Sequence, residues 1–204
     1  MDRKVKIAVL VSGGGTNLQA ILDYAKAGKL EEGEIVKVIS SKVGAYALTR
    51  AENAGVKHSV VQRKGVSRQA FEVSLLAELE ECGAEVIVLA GFMCILSKDF
   101  TDKYANRIIN VHPSLIPSFC GEGFYGLTVH EKALEYGVKV TGATVHFVNE
   151  IADGGKIIMQ KAVEIQDGDT PEVLQKRVME EAEWIILPES LKKVCRMILQ
   201  GEKQ

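Results

Sequence analysis

An asparagine and a histidine two residues apart are the first side chains in the sequence that could do chemistry together. Asn110 and His112 follow an apolar run that predicts a short buried strand, and Pro113 must end its ladder because proline lacks an N–H. Side chains alternate along a strand, so both point the same way at its carboxyl end. An amide and an imidazole placed there can stabilise a developing oxyanion and move a proton. Taken alone, such a pair is more often a turn-capping asparagine and a packed histidine.

A glycine-rich segment after the first predicted strand is a second candidate site. Residues 4–12 are rich in Val and Ile, and residues 13–17 lead from them into a predicted helix. Backbone N–H groups at such a helix N-terminus can hold a phosphate. Thr16 or Asn17 is expected to cap the helix. A glycine-rich turn without a ligand is the alternative for so short a motif. We assign phosphate binding to Gly14, Gly15, Thr16 and Asn17.

The surroundings of this loop restrict which phosphate it could bind. Leu18 stands where the dinucleotide fingerprint requires a third small residue. The second predicted strand, 35–39, is followed by Ser40, Ser41 and Lys42 instead of the acidic residue that binds an adenosine ribose. The loop also lacks the Gly-Lys-Ser/Thr of a Walker A motif. A terminal monophosphate therefore fits better than NAD.

Strand and helix patterns alternate along the chain, which predicts an α/β fold with a mostly parallel central sheet flanked by helices. Two strand patterns, 139–148 and 156–165, are separated by only a few residues and indicate an antiparallel hairpin. Thr170 and Pro171 are expected to open a helix that runs to about residue 186, with Pro188 restarting it. His146, in the hairpin, would approach the Asn110 end of the sheet only if its strand runs in the required direction.

Two loops have compositions that suit a binding site. Residues 91–96 are unusually apolar, which suits a pocket for a flat ring system and equally suits core packing. Residues 118–127 form a long, irregular, glycine-bearing loop with three aromatic residues, and such loops often act as lids. The helix after it begins with Thr128 to Glu131, a capping-box match that makes His130 a first-turn residue and not a catalytic one. Asp153 is by default a turn former.

Composition and charge narrow the functional classes. The chain has 204 residues, is 47% hydrophobic and 25% charged, and carries a formal net charge of −2. This is an ordinary globular composition, and the charge argues against a general nucleic-acid or membrane surface. Met1 to Lys4 run straight into the first strand, with neither a signal peptide nor a membrane span indicated. The four cysteines are widely spaced and suggest reduced thiols in a cytoplasmic protein without a metal site: Cys82, Cys94, Cys120 and Cys195.

Four motifs in order along nearly the whole chain closely resemble the phosphoribosylglycinamide formyltransferases, folate-dependent enzymes of purine synthesis. The resemblance implies a Rossmann-like formyltransferase fold with 10-formyltetrahydrofolate as formyl donor and glycinamide ribonucleotide as acceptor. It also implies a single domain over 1–204, with a phosphate-binding half, 1–105, and a catalytic and folate-binding half, 106–204. The matching motifs are Ser12-Gly13-Gly14-Gly15-Thr16-Asn17, Leu89-Ala90-Gly91-Phe92-Met93, Asn110-Val111-His112-Pro113-Ser114-Leu115, and Val145-His146-Phe147-Val148 with Asp153-Gly154-Gly155.

The resemblance also implies roles for individual residues. Asn110, His112 and Asp153 match the family's catalytic trio, with His146 in support. Glu183 matches the carboxylate that meets the glycinamide end of the substrate, and Arg107 is assigned to substrate binding as well. Two departures concern Cys94, where many members have Arg, and residues 119–127, which are longer than the usual turn. The folate side is assigned to Arg68, Met93, Cys94, Ile95, Leu96, Asn110, Asn149, Glu150, Ile151 and Ala152.

The residue types fit formyl transfer to an amine. Asn110 and a protonated His112 would stabilise the oxyanion, while Asp153 would hold the imidazolium and relay the proton. We expect this pairing to raise the pKa of His112 and to lower that of Asp153. The alternatives are another folate formyl enzyme, such as a deformylase-like hydrolase or a methionyl-tRNA formyltransferase, and a non-catalytic phosphate-binding module. The protein is expected to be a monomer or homodimer that binds small molecules and no nucleic acid.

Overall fold

One seven-stranded sheet with helices on both faces makes up the protein in the computed structural model, which describes residues 3–201. The strands are β1 (Val5–Val11), β2 (Gly33–Ser40), β3 (His58–Val60), β4 (Val86–Leu89), β5 (Ile108–His112), β6 (Val140–Phe147) and β7 (Ile157–Glu164). The helices are α1 (Thr16–Lys26), α2 (Tyr46–Asn53), α3 (Arg68–Cys82), α4 (Lys98–Lys103), α5 (Leu127–Tyr136), α6 (Pro171–Val178), a π-helical turn (Met179–Glu183) and α7 (Trp184–Gln200).

The strands are arranged in the order β3-β2-β1-β4-β5-β6-β7. β1 to β5 pair in parallel, β6 runs antiparallel to β5, and β7 runs antiparallel to β6. This confirms the predicted α/β fold with an antiparallel hairpin in the C-terminal half. The single-domain assignment for 1–204 stays a prediction, since residues 1, 2 and 202–204 lie outside the described part.

The apolar residues of β1 supply both faces of the core. Val5, Ile7, Val9 and Val11 pack in one hydrophobic cluster with α1 and α7. Ala8 and Leu10 point to the opposite face and pack in a second cluster with α3 and α4. A strand covered by helices on both sides must be apolar on both faces, which is why the pattern here is a continuous run. The helices thereby fix the carboxyl ends of the parallel strands, where the site lies.

Helix caps are where local sequence reasoning both succeeds and fails. Ser67, Ser97 and Thr170 cap their helices with their side chains, as the sequence indicates. The predicted cap of α1 by Thr16 or Asn17 is wrong, because left-handed Gly15 precedes the helix and no side chain caps it. The capping box at 128–131 is also wrong, since α5 already begins at Leu127 and has no side-chain cap. In both places glycine backbone geometry starts the helix instead.

The C-terminal helical segment breaks earlier than predicted. α6 ends at Val178, the π-helical turn covers Met179–Glu183, and α7 continues through Pro188. Proline cannot donate to the carbonyl four residues before it, which here belongs to Trp184, the first residue after the π-helical turn. The π-helical turn therefore ends one helical turn before Pro188.

No helix in residues 3–201 is both long and apolar enough to cross a membrane. The sequence prediction for the chain start concerns Met1 and Asp2, outside those residues.

Candidate active site

A cavity of about 750 Å³ opens at the carboxyl ends of the parallel strands. Its lining combines the glycine loop after β1, the apolar segment after β4, the end of β5 and one face of α6 and the π-helical turn. This is the edge of an open α/β sheet at which ligands bind. Segments contributed by loops complete the wall, namely residues 121–126 and 148–153.

The structure brings Asn110, His112, His146 and Asp153 together on one wall of the cavity. Asn110 pairs with His146 across the antiparallel β5–β6 ladder. The Nδ1 atom of His112 lies 3.4 Å from Asp153 Oδ2, and the Nε2 atom of His146 lies 3.5 Å from Asp153 Oδ1. The carboxylate therefore faces both imidazoles, although it comes from a loop some 40 residues along the chain.

His146 has a geometry that orients Asn110. Its Nδ1 atom lies 2.8 Å from the backbone carbonyl oxygen of Phe147, and its Nε2 atom faces both the Asn110 amide and Asp153 Oδ1. The Asn110 amide nitrogen lies 3.3 Å from that Nε2. An amide carries two N–H groups, so the second one remains available to a ligand. The predicted supporting position of His146 is thus the one observed in the β5–β6 pair.

The loop before α5 contacts both catalytic candidates through its backbone. The Nε2 atom of His112 lies 2.8 Å from the carbonyl oxygen of Phe119. The N–H of Gly121 donates to Asp153 Oδ2 at 2.9 Å. Phe119 adopts a left-handed backbone conformation with φ 48°. The loop thus closes over the cluster, as its length and composition suggest.

Burial decides the direction of the His112 pKa. Burial of the ring lowers the pKa of His112, and the nearby Asp153 carboxylate raises it by less. The prediction that Asp153 raises the net pKa of His112 is therefore wrong, because desolvation of the imidazolium outweighs the attraction. For Asp153, burial alone would raise the pKa, but contacts with His146, His112 and the Gly121 N–H lower it overall, as predicted. The site without ligand holds an ionised carboxylate beside a mainly neutral imidazole.

The glycine loop after β1 is another part of the cavity wall, and its four predicted residues all line it. Gly15 has φ 74°, and a Cβ atom built there would lie 2.6 Å from that of Ala47. Arg50 donates from Nε to the carbonyl oxygen of Gly14 at 2.8 Å, which ties the loop to α2. Close packing of α2 beneath the loop explains why glycine is needed at position 15.

Glu183 contacts the same part of the cavity wall from the π-helical turn. It is buried and accepts a hydrogen bond from the Asn17 amide at 2.7 Å. Burial raises its pKa, and the Asn17 hydrogen bond opposes this only in part. A carboxyl group beside the glycine loop can bind donor groups of a ligand whose phosphate occupies that loop.

An apolar segment after β4 also lines the cavity. Met93, Cys94, Ile95 and Leu96 are all lining residues. The backbone N–H of Met93 donates to Ser12 Oγ at 2.9 Å, which anchors the segment to the end of β1. Met93 and Ile95 remain 57% and 63% exposed, so they form an open apolar rim rather than core. The predicted residues Asn149, Glu150, Ile151 and Ala152 also line the cavity.

Two predicted site residues lie elsewhere. Arg107 precedes β5, at the amino end of the strand, whereas the cavity lies at the carboxyl end. Five residues of extended chain separate it from His112, about 16 Å at 3.3 Å per residue. The assignment of Arg107 to substrate binding stays a prediction that this cavity does not support. Arg68 is the exposed first residue of α3 and does not line the cavity, so its folate assignment stays a prediction as well.

Three cavity residues lie outside every loop and motif that the sequence analysis linked to the site: His130, Gln175 and Met179. His130 does lie on the first turn of α5, as predicted, but it is completely buried and points into the cavity wall. Burial first, and the neighbouring His112 second, lower its pKa to about 4. Nothing in the local sequence pattern marks these residues, since the packing of α5 against α6 brings them to the cavity.

Within residues 3–201, no cluster of three His, Cys, Asp or Glu side chains is placed to hold a metal ion.

Comparison with known proteins places this geometry in a family. Residues 5–191 match the formyl transferase family. Phosphoribosylglycinamide formyltransferase of Escherichia coli is 41% identical over 85% of this chain and 80% of its own length. A trifunctional purine biosynthetic protein of Gallus gallus is 46% identical over 97% of this chain, which spans only 19% of that protein.

Solved structures agree with the sequence relatives. The phosphoribosylglycinamide formyltransferase of Brucella melitensis superposes with a TM-score of 0.86 at 40% identity, covering 95% of this chain and 96% of that one. A glycinamide ribonucleotide transformylase of Symbiobacterium toebii gives 0.87 at 42% identity, covering 97% and 89%. Because residues 5–191 match the family model and the whole fold superposes on these structures, the chain belongs to the formyl transferase family.

Proposed function

We propose that the protein transfers the formyl group of 10-formyltetrahydrofolate to the amino group of glycinamide ribonucleotide. The products are formylglycinamide ribonucleotide and tetrahydrofolate. The observation that carries this proposal is that one cavity is lined by the glycine loop, by the apolar segment at residues 93–96 and by Asn110, His112 and Asp153. The similarity to the bacterial phosphoribosylglycinamide formyltransferases supports the choice of substrates.

The acceptor is proposed to bind at the glycine-loop end. Gly14, Gly15, Thr16 and Asn17 offer backbone N–H groups at the N-terminus of α1, where the helix dipole favours an anion. Glu183 would then meet the uncharged part of the ribonucleotide. This orientation directs the acceptor amine toward the His112 and Asp153 side of the cavity.

The donor is proposed to bind at the apolar end. A pterin is a flat ring with polar edges, which suits an apolar slot that ends in backbone and amide groups. Residues 93–96 supply the apolar wall, and residues 149–152 supply backbone groups on the opposite side. The formyl group would lie beside Asn110, between the two ends. Neither donor nor acceptor binding requires a metal in this scheme.

The proposed reaction between the two substrates follows from the side chains of Asn110, His112 and Asp153. The acceptor amine attacks the formyl carbon, a C–N bond forms, and negative charge develops on the formyl oxygen. Asn110 and, once its Nε2 has left the Phe119 carbonyl, His112 would donate to that oxygen, and the loss of one such donor typically costs about 10²–10³ in rate. The developing charge raises the pKa of His112 and offsets the burial that lowers it in the free protein.

Asp153 is the group proposed to move the proton from the acceptor amine to the departing folate nitrogen. It is ionised in the free protein and close to both imidazoles, so it can take the amine proton directly or through water. That proton reaches the departing folate nitrogen as the old C–N bond breaks, which regenerates the carboxylate. General acid–base catalysis of this kind is worth about 10²–10⁴ in rate.

Formyl transfer from 10-formyltetrahydrofolate to three acceptors tests the proposal. We expect rapid transfer to glycinamide ribonucleotide and little to water or to charged initiator tRNA. Dialysis against a chelator should leave the rate unchanged. Preferred transfer to water would indicate a deformylase-like hydrolase, and transfer to tRNA would indicate a methionyl-tRNA formyltransferase. Binding of both substrates without any transfer would indicate a non-catalytic module.

The proposal extends to the setting of the enzyme. We propose that it acts in the cytoplasm, where its thiols remain reduced, as a monomer or homodimer. Sedimentation of the purified protein across the concentration range used in the assay separates those two states.

A further inference from the structure

His130 is the one buried imidazole of the cavity wall whose two ring nitrogens both lack a hydrogen-bond partner within residues 3–201. His112 and His146, by contrast, each contact at least one protein group. A buried polar atom left without a partner costs about 1–3 kcal/mol. Such an atom in a cavity wall is explained when a ligand supplies the missing partner.

The position of His130 places it on the acceptor side of the cavity. α5, which carries it, packs against α6. The cavity-lining residues of α6 and the π-helical turn are Gln175, Met179 and Glu183. Glu183 is held by Asn17 of the glycine loop. His130 therefore lies in the part of the wall next to the elements that carry Gln175, Met179 and Glu183, with both ring nitrogens buried in the free protein.

The protonation state of His130 defines what it can bind. Burial and the nearby His112 lower its pKa to about 4, so the ring is neutral at physiological pH. A neutral imidazole has one N–H donor and one acceptor nitrogen. It therefore complements a neutral group that both donates and accepts, such as a hydroxyl or a carboxamide, and does not attract a phosphate.

We propose that His130 is an acceptor-binding residue that hydrogen-bonds a neutral donor–acceptor group of the ribonucleotide, either a ribose hydroxyl or the glycinamide. This inference rests on the proposed function, because it concerns how the acceptor of that reaction is held. His130 is not assigned a contact with the reacting atoms, so we expect it to contribute to acceptor affinity more than to the chemical step.

A substitution to leucine separates binding from folding. His130→Leu removes both nitrogens at similar volume, and replacing an unpartnered buried group by an apolar one is neutral or stabilising in the free protein. We expect an unchanged or higher melting temperature and a KM for glycinamide ribonucleotide raised at least about 10-fold, the effect of roughly one buried hydrogen bond. The KM for 10-formyltetrahydrofolate should change less than about 2-fold. His130→Gln, which keeps a donor and an acceptor, should recover part of the loss.

Thr141 offers a matched control. Its Oγ1 atom is also buried without a partner, but it lies on β6 and outside the cavity lining. Thr141→Val should leave both KM values unchanged. If His130→Leu lowers the melting temperature and leaves the acceptor KM at the wild-type value, His130 has a structural role and the proposal is overturned.

Ring signals of His130 in the unmodified protein provide a measurement that does not depend on how the variants fold. Titration with glycinamide ribonucleotide should shift the nitrogen resonances of His130, and unchanged resonances would also overturn the proposal.

Acceptor analogues then identify which group of the ribonucleotide His130 binds. A 2′-deoxyribosyl or 3′-deoxyribosyl analogue that loses no further affinity in His130→Leu marks the missing hydroxyl as the partner. Additive losses with both analogues mark the glycinamide. A wild-type protein that transfers no formyl group would reject the proposed function itself, a different result from normal acceptor affinity in the variants.

Discussion

The Nε2 atom of His112 lies 2.8 Å from the carbonyl oxygen of Phe119, so the ring nitrogen that faces the cavity is bonded to the protein's own loop. The same loop bonds Asp153 through the N–H of Gly121. A ligand that needs His112 as a donor must replace this carbonyl. Movement of residues 119–126 is therefore part of any catalytic cycle that uses His112.

Removing an aromatic contact that holds residues 119–126 should speed amide hydrogen exchange in that loop. Tyr136 is largely exposed and contacts the Phe119 ring edge-on at 6.0 Å between centroids. Such aromatic pairs are worth about 0.5–1.5 kcal/mol, so Tyr136→Ala should speed amide hydrogen exchange in 119–126 by about 2- to 10-fold. Val73→Ala, at an exposed site on α3, serves as the control. Identical exchange in the two variants would show that this contact does not hold the loop.

Removing the carboxylate charge at position 153 tests its catalytic role. Asp153 has φ 55°, and asparagine tolerates this left-handed conformation and can still accept from the Gly121 N–H. We expect Asp153→Asn to fold normally and to lose at least about 100-fold in turnover, because it cannot take the amine proton. Asp167→Asn, on an exposed turn, should keep full activity. Near-normal turnover in Asp153→Asn would remove this residue from the mechanism.

The glycine loop can be tested with a pair of matched substitutions. Gly15 and Gly28 have almost the same φ, 74° and 72°, but only at Gly15 would an added Cβ collide with Ala47. Alanine at either position costs about 1 kcal/mol or more in unfolding free energy because φ is positive. Gly15→Ala should in addition displace the loop and raise the acceptor KM at least about 10-fold. An unchanged acceptor KM in Gly15→Ala would argue against phosphate binding there.

The buried Glu183 should make stability depend on pH. Burial raises its pKa in the folded protein above the unfolded value, so the folded state binds the proton more tightly. The stability linked to this group is present below the unfolded pKa and is lost as pH rises through the folded pKa. Glu183→Gln should therefore gain stability relative to wild type between pH 5 and pH 8 in urea unfolding, while its acceptor KM rises about 10-fold or more.

Glu181→Gln, at an exposed site of the same π-helical turn, is the control for that measurement. It should follow the wild-type stability curve across the same pH range. A Glu183→Gln curve parallel to wild type would mean that the carboxyl group is ionised without penalty in the fold.

The sequence by itself determined the fold class and most of the cavity. Continuous apolar runs such as β1 specify strands buried on both faces, and hydroxyl side chains such as Ser67 and Ser97 specify where helices begin. These signals are local, because propensity and periodicity depend on neighbouring residues. The glycine loop, the apolar segment at 93–96 and the Asn110–His112 pair could be found for the same reason.

Tertiary structure alone decided the relations between distant residues. The β5–β6 register sets His146 opposite Asn110, and a loop contact brings Asp153 to His112. Strand direction puts Arg107 at the amino end of β5, away from the cavity, and helix packing makes the first-turn residue His130 part of the cavity wall. Burial, which no local pattern measures, reverses the expected shift in the pKa of His112. Distances and desolvation depend on which elements meet in space. Neighbouring residues in the sequence do not show which distant elements will meet.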